Sequence, residues 1–176
     1  QAPAAAHLLL ADLQMVNGEA DGAAATLQAG LRKDPDNADL LAMLARTQLL
    51  ADQLDQAQAT LQRPRRSDST SHWLAQGDLA RRQGAVAGTL GAFERASQTA
   101  PADPRGWQAL GSAQGEREDL VQARAALNKA LALDEKSPGA LGELATVEAL
   151  AQRLPEAERL FAQALQANPG DYVAQT

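Results

Sequence analysis

HWLAQGDLARRQGAVAGTLGAFERASQTAP (residues 72–101) and GWQALGSAQGEREDLVQARAALNKALALDE (residues 106–135) are two spellings of one pattern. Trp73 and Trp107 mark the same point in each, and a third version, ALGELATVEALAQRLPEAERLFAQALQANP (residues 140–169), follows at the same offset. Self-similarity at a fixed period of about 34 residues points to stacked structural units. Within each unit, two apolar stripes at helical spacing are separated by a polar turn. In the last unit Leu141, Leu144, Ala145 and Val147–Glu148 form the first stripe, and Ala157, Leu160, Phe161, Ala164 and Leu165 the second. The spacing predicts a pair of antiparallel helices per unit and an all-α fold.

The slots agree with helix-pair physics. Small residues such as Ala23, Ala57 and Ala123 let two helices approach, and Leu127 and Phe161 fill the groove beside them. Asn37, Ser69, Asp103, Ser137 and Asp171 stand where each new helix should open, and all have side-chain oxygens able to cap exposed backbone N–H groups. Pro104 and Pro138 follow at the first helical position, where a missing N–H costs nothing. Asp171 would cap a further helix begun by residues 172–176, and the chain opens at Gln1, so it reads as a fragment of a longer protein.

The unit resembles the tetratricopeptide repeat. Trp73, Gly77, Phe93, Ala96 and Pro101 match the family's slots in the third unit, Trp107, Leu110, Gly111, Ala123, Leu127 and Ala130 in the fourth, and Leu141, Leu144, Ala145, Ala157, Phe161, Ala164 and Pro169 in the fifth. The first unit fits through Leu10, Ala11, Ala23, Leu27, Gly30 and Pro35, and the second through Leu41, Leu44, Ala45, Ala57 and Leu61. Thr89 and Glu135 depart from the family's alanine and proline, and the usual tyrosine of the first helix is missing throughout. The resemblance implies a right-handed superhelical solenoid. It divides residues 1–176 into a single array of repeats at about 4–37, 38–69, 70–103, 104–137 and 138–171.

The second unit is irregular. Its caps, Asn37 and Ser69, stand two positions closer together than the later caps do, and RPRRSDS (residues 63–69) occupies the place of the missing helical turn. Pro64 should end the second helix. Three readings compete for this stretch: a basic recognition patch, a linker between domains, and a shortened repeat with a solvated connector at 64–69. The register resumes at once, which favours the last and predicts a local bend.

Composition narrows the function. Net charge is −6 with no cysteine and few aromatics. The acidity argues against broad nucleic-acid binding, which needs many cations on phosphate. The apolar run AAAHLLLA (residues 4–11) is too short to span a bilayer, and no signal-peptide succession occurs. His7 and His72 are the only histidines and are far apart. DPDNAD (residues 34–39) starts like a calcium loop but has Asp39 in place of the required glycine and Ala45 in place of the closing glutamate. No nucleophile, base and orienting group can be named together, so no catalytic residue, cofactor or metal site is expected.

The resemblance implies that first helices line a concave groove where protein or peptide segments bind. By stripe, the groove residues expected are Leu8, Asp12, Met15 and Val16 in the first repeat, and Asp39, Ala42, Arg46, Leu49 and Leu50 in the second. Ser71, Leu74, Asp78, Arg81 and Arg82 follow in the third, and Arg105, Gln108, Ser112 and Glu116 in the fourth. Gly142, Thr146, Ala149 and Leu150 are the fifth's. The groove runs from apolar to basic: across residues 63–95 six arginines face three acids, within a chain of net charge −6. An acidic, partly apolar protein segment is the expected partner. The lysine, asparagine and arginine clamp of one tetratricopeptide subclass is absent, with Leu8, Asp12 and Met43 in its slots.

The expected function is a non-enzymatic scaffold. Its alanine-, glutamine- and arginine-rich style resembles bacterial envelope proteins of exopolysaccharide secretion and of pilus or cytochrome assembly. The expected location is the periplasm or outer membrane, with the cytoplasm as the alternative. A structural spacer or periplasmic arm of a polysaccharide export protein, and a regulatory module of a fused enzyme, are the other readings.

Overall fold

A computed structural model describes residues 3–63 and 65–168. Pro64, Pro169 and the expected cap Asp171 with its helix start lie outside them. Among the described residues there are ten α-helices and no strand: α1 (Ala4–Val16), α2 (Ala20–Leu31), α3 (Ala38–Leu50), α4 (Leu54–Leu61), α5 (Thr70–Arg82), α6 (Val86–Thr99), α7 (Pro104–Glu116), α8 (Leu120–Leu133), α9 (Pro138–Leu150) and α10 (Leu154–Ala167). The chain divides into two compact units, Gln1–Ala92 and Phe93–Thr176.

In the first unit α1 packs on α2 and α3, and α3 on α4 and α5. Ala11, Ala23, Leu27, Leu31, Leu40, Leu41 and Leu44 make one core cluster, and Ala45, Leu49, Ala57, Leu61, Ala75 and Leu79 another. In the second unit α7 pairs with α8 and α9 with α10, and Ala123, Leu127, Leu141, Leu144, Ala145 and Leu160 share a core. The small–large alternation of the sequence is thus the packing itself: Ala23, Ala57 and Ala123 are wholly buried and admit the neighbouring helix.

Helix entry follows the expected caps. Asn37 accepts from Leu40 N, Ser69 from His72 N, Asp103 from Arg105 N and Ser137 from Ala140 N. Helix exit follows a rule the composition did not reveal. In all five described turns inside a pair, a residue with positive φ stops the first helix: Gly18 (78°), Asp52 (57°), Gly84 (70°), Glu118 (60°) and Gln152 (61°). Each N–H reaches back three positions and the next N–H reaches back five, as in Gly18 N to Met15 O and Glu19 N to Gln14 O. This is the Schellman closure, which satisfies two orphan carbonyls at once. Three of the five positions carry a side chain in the left-handed region, at a steric cost of roughly 1–2 kcal/mol each. Glu118→Gly is therefore expected to stabilise the fold by about 0.5–1 kcal/mol after glycine's own entropy cost, measured as a shift of the urea midpoint at unchanged slope.

Gly106 marks the closest approach of α7 to α6. A Cβ there would lie 2.7 Å from the backbone carbonyl carbon of Ala96 and 2.7 Å from the amide nitrogen of Ser97. Backbone cannot give way as a side chain can. Gly106→Ala should destabilise by roughly 1–3 kcal/mol although alanine is the better helix former; an unchanged thermal midpoint would contradict this packing.

A polar slot recurs inside the pairs. Thr26 donates to Gln14 Oε1 and Thr60 to Gln48 Oε1, both at 2.8 Å and with the same sequence separation. One repeat further on, both slots become alanine, Ala80 and Ala92. Gln114 keeps the amide while Ala126 has lost the hydroxyl, and Gln114 Oε1 is buried without a hydrogen-bond partner. In the last pair the slot holds Glu148, which recruits arginine instead.

Candidate partner-binding groove

α3 and α5 lie side by side in the first unit, and their Schellman ends present Leu49–Leu50 and Arg81–Arg82 at one edge. Arg46, Leu49, Leu50, Asp78, Arg81 and Arg82 line an open cavity of about 320 Å³ there. All six are residues the sequence pointed to, now gathered at one place. Leu50 is 65% exposed and supplies the apolar wall. Arg82 is tied to Asp52 at 3.2 Å, a pair exposed enough for an incoming carboxylate to displace. Asp78 is half-buried, and burial pushes its carboxyl above the ordinary range while Arg81, Arg46 and Arg82 pull it back. The cavity therefore gathers three arginines around one half-buried acid, beside an aliphatic surface.

Several expected groove residues sit elsewhere. Leu49, although it lines the cavity, is only 4% exposed and belongs chiefly to the core cluster of α3–α5. Leu8 and Met15 are half-buried against the first core cluster, because α2 and α3 close over that side of α1. Asp12 is exposed and Leu74 half-buried, and neither lines the α3–α5 cavity. Arg105 folds back onto its own cap, Asp103, with Nε–Oδ1 at 3.0 Å and Nη2–Oδ2 at 2.7 Å, so its charge is directed away from the role expected of it. Gln108 donates to Glu143 at 3.3 Å.

Ser112 lines a second cavity of about 320 Å³, between α7 and α9 in the second unit, with Gly115, Glu116, Glu143, Thr146 and Leu150. Ser112, Gly115 and Glu116 stand two repeats after Arg46, Leu49 and Leu50, and Thr146 and Leu150 stand two repeats after Asp78 and Arg82. The same groove position thus recurs lined by acids, Glu116 and Glu143, while the arginine slots themselves hold Ser112, Ala149 and Leu150. The count of arginines in residues 63–95 hid this, because the difference shows only once helices are aligned.

The arginines of RPRRSDS are engaged within the fold. Arg66 Nη2 donates to Asp34 at 2.5 Å and to Asp36 at 2.8 Å, its N–H bonds Asp36 O, and Arg63 donates to Pro35 O at 3.1 Å. Arg65 pairs with Asp68 at 3.1 Å and lies 5.3 Å over the Trp73 ring. Asn37 and Arg66 hold the Asp34 carboxyl below its usual range. The acidic turn 34–36 is thus a counterpart of the basic connector one repeat later, and α4 ends at Leu61 with eight residues where α2 has twelve. The one-repeat offset between Asp34 and Arg66 was the available signal. At the opening of α5, His72 is 3% exposed, while Trp73 is half-buried and meets it edge-on at 5.2 Å.

Two family models, each described as tetratricopeptide repeat, match residues 18–77 and 109–172. Cellulose synthase operon protein C of Xanthomonas axonopodis pv. citri is 38% identical over 104 residues, a match that takes in 52% of this chain and 7% of that protein. The crystal structure of a thermophilic TPR protein of Thermus thermophilus aligns with 98% of this chain and 95% of its own at a TM-score of 0.79 and 22% identity. That of YrrB, a TPR protein with an unusual peptide-binding site, aligns with 96% and 88% at 0.64 and 14%. The structural likeness carries the fold, and the matched sequence carries the repeat: this chain belongs to the tetratricopeptide repeat family.

Proposed function

We propose that the chain is a non-catalytic scaffold that holds a partner's extended segment, aliphatic then acidic, in the α3–α5 groove. The tetratricopeptide fold itself implies protein–protein interaction. The observation that carries the finer reading is the meeting of Arg46, Arg81 and Arg82 with Leu50 around one cavity. Arginine forks suit carboxylates and lose less entropy per bond than lysine. A peptide library displayed on phage should yield acidic–aliphatic sequences with the wild-type chain. The triple variant Arg46→Glu, Arg81→Glu, Arg82→Glu should weaken the selected peptides by roughly tenfold or more, and raised salt should weaken them too. Peptides that bind both proteins equally would refute the placement.

We place the scaffold in a bacterial envelope assembly or exopolysaccharide-secretion protein, in the periplasm or at the outer membrane. What supports this is the name of the 38% identical relative, of which this chain corresponds to 7% of the length. A spacer or arm within such a protein is the second reading, favoured by the same long relative. Fractionation of the native full-length protein tests the location. Its recovery in the cytoplasmic fraction alone would exclude this reading while leaving the groove proposal standing.

A further inference from the structure

The first helix leaves exposed an apolar face whose counterpart positions are buried in the other four first helices at all but one place. Aligned by period, the third, seventh and tenth residues of each first helix form one stripe. In α3 these are Leu40, Leu44 and Thr47, with exposures of 0%, 3% and 3%. In α9 they are Ala140, Leu144 and Val147, at 0%, 5% and 3%. In α7 they are Gly106, Leu110 and Ala113, all buried, and in α5 His72, Gln76 and Leu79, of which only Gln76 is half-buried. In α1 they are Ala6, Leu10 and Leu13; Ala6 is exposed, Leu10 is 50% exposed and Leu13 55%.

What covers the stripe elsewhere is the second helix of the preceding pair. α2 packs on α3, α4 on α5 and α8 on α9. The contact is close: a Cβ on Gly30 of α2 would come within 3.0 Å of Leu40, and Gly106 abuts the backbone of Ala96 and Ser97 in α6. A repeat that ends an array has a polar outer face, because water meets it there. α1 instead keeps leucine at two of its three stripe positions, joined by Leu9 at 64% exposure, in a helix with no charge but Asp12.

We propose that the Ala6–Leu10–Leu13 face of α1 is a repeat-to-repeat interface, covered by the second helix of a further tetratricopeptide repeat that precedes Gln1 in the same polypeptide. The covering helix carries a small residue opposite Ala6, as Gly30 and Ala96 do in theirs. Val16 lies outside this interface. It is 80% exposed, and its counterpart Leu50 remains 65% exposed although α3 is covered. The two faces of α1 therefore have different fates.

Residues 1–176 contain no cysteine, so Leu10→Cys, Leu13→Cys and Val16→Cys each introduce a single thiol in the short chain that opens at Gln1. The same variants are made in the whole polypeptide encoded by the reading frame, and labelling is read at each introduced position by peptide mass spectrometry. Maleimide labelling of all three should be fast in the short chain. In the whole polypeptide, labelling at positions 10 and 13 should slow at least tenfold while position 16 stays fast. Equal rates at all three positions in the whole polypeptide, or a reading frame with no repeat before Gln1, overturns the proposal. Protection of positions 10 and 13 in the short chain that grows with its concentration also overturns it, because a second copy is then the occupant. Leu10→Ser and Leu13→Ser forms measured by circular dichroism establish that substitution there leaves the helices intact.

Discussion

Arg124→Ala is expected to destabilise the second unit by about 3 kcal/mol. Glu148 sits in the buried polar slot of the α9–α10 pair, and its side chain is 5% exposed. Arg124 of α8 clasps it with both forks: Nε donates to Oε1, and Nη2 to Oε2 at 3.0 Å. Arg153 stands behind at 3.5 Å from Oε2 and is largely exposed. The pairing holds the Arg124 guanidinium above its already high range, through its hydrogen bonds to Glu148 foremost and with charge adding to them, against burial. Removing Arg124 leaves a buried carboxylate with only the distant Arg153, and such orphaned charges cost far more than the pair contributes. The register supplies the control, since Gln14, Gln48 and Gln114 fill this slot in other pairs. Arg124→Ala combined with Glu148→Gln should recover most of the loss. Chemical denaturation of the four proteins forms the cycle; a single-variant loss under about 1 kcal/mol would show the pair to be ornamental.

Acidification from pH 6.5 to 4 should remove about 3 kcal/mol of stability through His72 alone. Burial lowers this imidazole from 6.5 to about 4, with Arg65 adding to the shift and Asp68 opposing it. The folded pKa lies below the unfolded one, so the unfolded chain takes up the proton first. The contribution is complete above pH 6.5, declines as pH falls, and is exhausted near pH 4. Asp78 works with the opposite sign: its folded pKa is raised, so protonation there favours the fold as pH falls toward 3.8. The informative quantity is therefore the difference between the wild type and His72→Leu at each pH, in which Asp78 cancels. Leucine is the residue of the matching slot in α3, Leu40. The difference should change across pH 6.5–4 and be level above it. Parallel curves would mean that His72 titrates as a surface histidine.

Both effects arise where repeats exchange one chemistry for another at a shared position. A stripe slot that is leucine in α3 is histidine in α5, and a glutamine–threonine slot becomes a glutamate that borrows an arginine from the preceding helix. Stacked repeats tolerate such exchange because each contacts only its neighbours, so a local substitution needs only a local answer. The groove varies too: Arg46, Arg81 and Arg82 line the cavity of one unit, while Glu116 and Glu143 line that of the other from different slots.

The repeat period, the caps at Asn37, Ser69, Asp103 and Ser137, the small and large packing slots and the two-residue shortfall of the second unit were all legible in the linear chain. These are properties of one helix or one helix pair. Their physics, periodic burial and capping of orphan N–H groups, acts over a few residues, so sequence by itself determines them. Tertiary structure alone decided which residues stop the helices at positive φ, since Asp52, Glu118 and Gln152 take a conformation their side chains resist. It also decided that Leu49 turns into the core, that Arg66 reaches Asp34 while Arg46, Arg81 and Arg82 gather at a cavity, and that Glu148 meets Arg124. The two ion pairs among them join residues 32 and 24 positions apart. A long charged side chain can reach several neighbours, and only the packed helices select which one it meets.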